Sequence, residues 1–319
     1  MTSTGTGAAV DYGCEHFGRL RRVMLHRPGE ALRLVDEGNY RQWLFDGVPD
    51  PARFIAEHDR YRALLESHGV EVVELGDCLR DGHARIARLP NLSYLHDTAV
   101  VTRRGAFLSR MASRARRGEA VLVAEALAAL GIPVVHAFDG PDDAFEGCLL
   151  LSPETLLVAD TERHRAASIA RFIPRALEVF PEVIHVCVPK ARRFMHPDMI
   201  YNRVDRGLAL AYLPAFLWAE IHTRQGVRAI EFRRHMARRG VEVLDVSGEE
   251  QQRWACSFLP LEPGVMLHYD TALAPQTRRR LERRGVAFVF FHPDALLAGG
   301  GSLRCLTLRL HRDPAPTAR

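Results

Sequence analysis

The sequence has no Cys-x-x-Cys pair, no long apolar run and no strong excess of either charge. Each absence excludes something. Its six cysteines (Cys14, Cys78, Cys148, Cys187, Cys256 and Cys305) are scattered through 319 residues, which leaves little support for a zinc site built on paired thiols. No cofactor or metal is indicated. No apolar run approaches the roughly 20 residues that a membrane helix needs, so no membrane partner is expected. The first ten residues are rich in Gly, Ala and Thr and carry neither the basic start nor the apolar core of a secretory leader. A reduced, cytoplasmic protein without structural disulfides is expected. The 43 basic and 39 acidic residues leave a net charge of +4, too balanced to imply nucleic acid. The arginine-rich stretches 110–117 and 278–284 read as solvated helix faces, so no nucleic-acid partner is expected. Nothing in the composition excludes a homo-oligomer.

What is present is a repeat. A helix-like stretch, a small turn usually built on Gly and an apolar strand recur at 68–73, 130–135, 180–185, 239–244 and 284–289. Each Gly suits the position just past a helix, where a left-handed backbone is needed. The preceding stretches have helical periodicity, with Leu64 and Leu65 facing inward in one, and Val123, Ala124, Leu127 and Leu130 in another. Ahead of most of these helices lies a second apolar strand: Leu20–Leu25, Ala106–Leu108, Thr155–Ala159, Gly207–Tyr212 and Gly264–Tyr269. Strand, helix and strand repeated five times at roughly fifty-residue spacing point to α/β units stacked around an axis. A doubly wound sheet is the alternative reading of the same alternation.

Four polar clusters sit where the units enter strands: 91–97, 145–148, 195–200 and 299–308. The last holds Gly299-Gly300-Gly301, which lets the backbone bend sharply, and Arg304-Cys305, where a neighbouring cation favours thiolate. Leu306, Leu308 and Leu310 read as a strand holding that cysteine. Singly, Asp97 and Asp198 are ordinary turn residues. In a radial arrangement, Asp97, Glu146, His196, Asp198 and Cys305 converge as a nucleophile, a base and three carboxylates. Carboxylates around a thiol repel anions, and they pair well with a planar guanidinium. The chemistry points to a guanidino or amidino substrate.

These residues resemble the guanidine-modifying superfamily of five-bladed α/β propellers, the penteins, and within it the arginine deiminases. The resemblance runs over about residues 17–314, through Gly18–Gly29, Leu44-Phe45-Asp46, Glu57-His58-Asp59, Asn91–Asp97, Glu146-Gly147, Met195–Asp198 and Gly299–Leu308. It implies that Cys305 attacks the guanidinium carbon. His196 then protonates departing ammonia and activates water against a thiouronium intermediate. Asp97 and Asp198 bind the guanidinium nitrogens, and Glu146 orients His196. It further implies substrate contacts from Asn91 (to the α-amino group), Tyr94 and Gly300, and carboxylate ligands in Arg116 and Arg163. Donors near Gly299–Gly301 would close the site.

The sequence departs from that pattern at several points. His96 stands where an arginine is usual, and Cys148-Leu149 follow Glu146-Gly147 in place of Gly-Asp. Trp254–Ser257 replaces an Asn-rich segment, and Gly300 replaces an arginine. No room exists between Leu75 and Asn91 for the helical insertion of bacterial deiminases. The implied organisation is a flexible segment over 1–16, one propeller domain over 17–314 and a tail over 315–319. The implied reaction is hydrolysis of L-arginine or a close analogue to citrulline and ammonia. The rivals are an amidinotransferase, a dihydrolase or dimethylarginine-type hydrolase, and a non-catalytic binding propeller.

Overall fold

The computed structural model describes residues 11–81 and 83–314. β1 (Leu20–Leu25) leads through α1 (Pro51–Ser67) to β2 (Glu71–Glu74), which lies parallel to it. α1 starts where the Asp50 side chain accepts the Arg53 backbone N–H, with Pro51 in the first turn, where its missing N–H leaves no bond unmade. After the four-residue α2 (His83–Ile86) come β3 (Ala99–Thr102), β4 (Gly105–Leu108), α3 (Glu119–Ala129) and β5 (Val134–His136). The third unit is β6 (Leu149–Ser152), β7 (Thr155–Asp160), α4 (Ala166–Ala176) and β8 (Glu182–Cys187). The fourth is β9 (Tyr201–Arg203), β10 (Leu208–Ala211), an inserted hairpin of β11 (Trp218–Thr223) and β12 (Gly226–Ile230), then α5 (Phe232–Ala237) and β13 (Glu242–Asp245). Past α6 (Gly248–Gln252) the fifth runs β14 (Leu259–Glu262), β15 (Val265–Tyr269), α7 (Pro275–Glu282) and β16 (Ala287–Phe291). The final strand, β17 (Leu308–Arg312), pairs antiparallel with β1.

Among the described residues these strands form five sheets of mixed pairing. In each, an antiparallel neighbour lies on one side of the middle strand and the strand beyond the helix lies parallel on the other. The middle strands are buried on both faces. In β1, Val23 and Leu25 enter one apolar cluster and Met24 another, as the period-two alternation of a doubly covered strand requires. In four of the five sheets the strand after the helix is an edge strand, and in β5 Val134 and Val135 are exposed. The β11–β12 hairpin extends the third sheet through β8, giving the order β12-β11-β8-β7-β6.

The expected left-handed turn after the helix is present at Gly69 (φ 72°) and Gly131 (φ 73°). Two readings shift. In α3, Val123 and Leu127 are buried, but Leu122 and Ala126 fill the inward face, and Ala124 and Leu130 are only half-buried. Residues 11–16 are not a flexible lead. Gly13 bridges to His311, the Cys14 N–H donates to Val101 O at 3.2 Å, and Cys14 and Glu15 are buried. The remainder of that expected segment, 1–10, and the expected tail, 315–319, lie outside the described residues. Among the described residues no helix is long and apolar enough to cross a membrane.

Candidate active site

Five polar positions fall two or three residues ahead of a sheet's outer strand: Asp97 before β3, Glu146 before β6, Asp198 before β9, Ser257 before β14 and Cys305 before β17. The repeat therefore delivers one side chain per sheet at an equivalent place, and all five are buried. Cys305, His196, Asp97, Asn91, Tyr94, Arg116, Arg163 and Gly300 line one narrow pocket, together with Leu44, Arg192 and Met195. A larger cavity of about 790 Å³ opens beside Arg203 and Arg239, but no thiol or paired base lines it.

The imidazole of His196 is held between two carboxylates. Its Nε2 lies 2.9 Å from Glu146 Oε2 and its Nδ1 lies 3.2 Å from Asp97 Oδ1. Burial alone would lower its pKa, but Asp97 and Glu146 outweigh that and hold it above the ordinary histidine value. Glu146 is fixed in turn: Oε1 accepts the Ala112 N–H at 2.7 Å, and Arg163 stands 3.5 Å from Oε2. Burial opposes its charge, yet His196 and Arg163 bring the carboxyl down to about 2.

Cys305 lies in a turn, not on the strand that follows. The turn is pinned at several points. Its carbonyl accepts the His96 N–H at 3.1 Å, Tyr61 of α1 donates to Leu303 O at 3.2 Å, and Ser302 Oγ lies 3.4 Å from the thiol. Burial first, then Asp198 and Asp97, push the thiol up to about 12. At neutral pH the free site therefore holds a neutral thiol. Arg304 does not reverse this, because its Nε turns to Asp198 Oδ2 at 3.4 Å and its Nη1 donates to the Phe258 carbonyl.

Several expected roles meet a different placement. Arg116, expected to be free for a substrate carboxylate, donates to Asp97 Oδ2 at 2.7 Å, to Glu119 at 2.9 Å and to the Tyr94 carbonyl at 2.8 Å. It leaves the arginine run 110–117, expected to be a solvated face, and becomes the buried counter-ion of Asp97. Asp198 and Glu146 are not on the pocket wall; Asp198 sits behind it, accepting from Ser257 at 2.7 Å, and its Oδ1 has no partner among the described residues. Asn91 lines the pocket with its amide donated to Trp43 O at 2.6 Å. The glycines serve a neighbour: a Cβ at Gly301 would stand 2.6 Å from Tyr94 Cε1, and Gly300 holds φ 72° with Asp46 pressed against it.

Two participants were not singled out from the sequence. Ser257 was visible only as a departure in 254–257, although its place two residues ahead of a strand repeats that of Asp97. Arg192, four residues before His196, lines the pocket and donates to Leu44 O at 2.8 Å and Asp46 Oδ1 at 2.9 Å. Its position in a basic stretch gave no signal. Leu44 itself adopts φ 65°, costly for a branched side chain and common where a loop is held for function.

A family model described as arginine deiminase matches residues 79–312. The arginine deiminase of Mycobacterium marinum is 27% identical over 396 residues, covering 94% of this chain and 97% of that protein. That of Mycoplasma capricolum is 22% identical, covering 93% and 96%. Among solved structures, the substrate-bound N-terminal domain of ArgZ, an arginine dihydrolase from the ornithine–ammonia cycle in cyanobacteria, matches with a TM-score of 0.69 at 16% identity, over 91% of this chain and 98% of that one. Dimethylarginine dimethylaminohydrolase matches at 0.66 and 15% identity, over 91% and 99%. The unliganded AgrE chain matches at 0.69 and 18% identity, and this chain spans only 40% of its length. These structural neighbours are pentein-fold proteins with mixed α/β sheets.

Proposed function

The chain belongs to the arginine deiminase family of carbon–nitrogen hydrolases, and we propose that it hydrolyses the guanidinium of free L-arginine, or a close analogue, to citrulline and ammonia through a thiouronium on Cys305. The observation that carries this is His196, gripped by Asp97 and Glu146 on the wall of the pocket that holds Cys305.

The resting thiol is neutral because two carboxylates and burial disfavour its anion. A guanidinium entering beside Asp97 replaces that repulsion with attraction, so the thiol gives its proton to bulk water as the cation arrives. Thiolate sulfur adds to the guanidinium carbon. Imidazolium His196 gives its proton to one amino group, and the carbon–nitrogen bond breaks to release ammonia. Neutral His196 then takes a proton from water, whose oxygen adds to the thiouronium carbon. Collapse expels the Cys305 thiolate and leaves the ureido group, with the last proton passing to ammonia, and the thiolate regains its proton from water as the product departs. Glu146 keeps the imidazole oriented and charged. Arg163 and Arg192, whose side chains meet only part of their donor capacity at the pocket rim, receive the α-carboxylate, and Asn91 faces the α-amino group.

We read the five sheets as blades of a closed five-bladed propeller; the pairing of β17 with β1, which unites the two ends of the chain, supports this. The catalytic domain then lacks the deiminase helical insertion. An alignment of 396 residues against a chain of 319 and the single short α2 between Leu75 and Asn91 support that reading. The six free cysteines fit a reducing cytoplasm.

Incubation of the purified protein with L-arginine alone tests the proposal. Citrulline and ammonia in equal amounts are expected, with none from Cys305→Ala. A second reading, arginine dihydrolase, is favoured by the match over 98% of the ArgZ domain and predicts ornithine, carbon dioxide and two ammonia per arginine. Ornithine formed only when an amine is added would instead mark an amidinotransferase.

A further inference from the structure

One cluster of ligating side chains lies outside the pocket just described, where the inserted hairpin joins the third sheet. β8 and β11 are antiparallel neighbours, and their register sets Glu220 directly opposite His185. His222 follows Glu220 by two residues, so strand alternation puts it on the same face. One ligand atom from each of the three lies within 4.8 Å of the others. Glu220 Oε1 is 2.8 Å from His222 Nε2 and 3.4 Å from His185 Nδ1.

Those spacings are meaningful for a small cation. With zinc–nitrogen and zinc–oxygen bonds of about 2.0–2.1 Å, tetrahedral ligands stand about 3.4 Å apart. The His185–Glu220 pair already meets this, and the His222–Glu220 pair needs only a small opening. The side chains are sheltered but reachable, at 13%, 31% and 16% exposure for His185, Glu220 and His222. The Nε2 of His185 is buried and has no hydrogen-bond partner among the described residues, so none of these contacts opposes moving the ring proton there and freeing Nδ1.

We propose that His185, Glu220 and His222 form a site for one zinc-type divalent cation, with water completing the tetrahedron. Imidazole and carboxylate ligands on a rigid sheet suit such an ion better than calcium or magnesium, which take oxygen shells. The ion would tie β11 to β8. The hairpin gains most from this, since among the described residues β12 pairs only with β11, and it is exposed along nearly its whole length. Cysteine spacing, the basis for expecting no metal, cannot reveal a triad assembled by register between two strands far apart in sequence.

The test uses the full-length, untagged protein titrated with Zn²⁺ by calorimetry and with Co²⁺ by absorption. One ion per chain is expected, together with visible cobalt bands of a four-coordinate nitrogen and oxygen site and no near-ultraviolet thiolate band. Binding should persist in Cys305→Ala, and Zn²⁺ should raise the melting temperature. His185→Ala and His222→Ala should each weaken binding at least tenfold while circular dichroism stays unchanged. Should His185→Ala fail to fold, His222→Gln on the exposed hairpin decides alone. No binding, a thiolate band, or binding unchanged in His222→Gln overturns the proposal.

Discussion

The ring of Tyr94 occupies the space in which a side chain at Gly299 would stand: a Cβ there would fall inside the contact radius of the tyrosine hydroxyl oxygen, and one at Gly301 would fall 2.6 Å from Cε1. The glycine run is thus shaped to a protein side chain that itself faces the pocket. Gly299→Ala should destabilise the protein by about 1–3 kcal/mol, the usual cost of overpacking, and lower kcat/KM at least tenfold by displacing Tyr94. Thermal denaturation and steady-state kinetics check this, and a variant with full activity and an unchanged melting temperature would sink it.

Tyr94→Phe should behave oppositely. The hydroxyl is buried and has no hydrogen-bond partner among the described residues, so its removal relieves a desolvated polar group. An unchanged or raised melting temperature is expected. If the hydroxyl contacts substrate, KM rises as well. A clear fall in melting temperature would show that the group is satisfied after all.

Glu146→Gln should lower the pKa of His196, because one of the two groups holding it up loses its charge. The sign follows directly. The imidazolium present below the raised pKa is lost as pH rises through it, so the alkaline limb of the kcat profile belongs to His196. In the variant that limb should move to lower pH, with kcat down roughly 10²-fold or more, as befits loss of an oriented general acid. An alkaline limb that stays put would remove Glu146 from this role.

Cys305 should alkylate slowly in the free protein. With the thiol pushed up to about 12 by burial, Asp198 and Asp97, thiolate is scarce at pH 7–8. Iodoacetamide labelling followed by mass spectrometry should show half-exposed Cys78 modified before Cys305, with Cys305 accelerating only at strongly alkaline pH. A Cys305 midpoint near the ordinary thiol value of about 8.5 would contradict a thiol activated by its substrate.

Ser257→Ala removes the 2.7 Å donor to Asp198 Oδ2, leaving a buried carboxylate whose other oxygen already lacks a partner among the described residues. A loss of about 1–3 kcal/mol is expected, measurable by denaturant titration, with a fall in kcat larger than the change in KM because Asp198 lies behind the pocket that Cys305 lines. An effect confined to KM would place Ser257 on the substrate instead.

Much of the architecture was legible in the chain. The five middle strands read from the sequence correspond to β1, β4, β7, β10 and β15 within a residue or two at each end. Helix periodicity, Gly after a helix and alternating apolar residues are local properties, written within a few positions. The errors were local as well. The inward face of α3 was misread by part of a turn, because a helix built from Ala, Val and Leu on nearly every side presents no sharp apolar stripe.

The sequence by itself determined the repeat and four of the five polar positions ahead of outer strands, and it singled out Cys305, His196, Glu146, Asp97 and Asp198 as candidates. Only the tertiary structure decided their partners. Arg116 faces Asp97 and Glu119, Arg304 turns to Asp198, Ser257 completes the fifth position, Arg192 reaches the pocket, and His185 meets Glu220 and His222. Each pairing depends on which strands are neighbours, on their register and on side-chain direction after burial. Those quantities are set by packing the whole chain at once, so no window of sequence contains them.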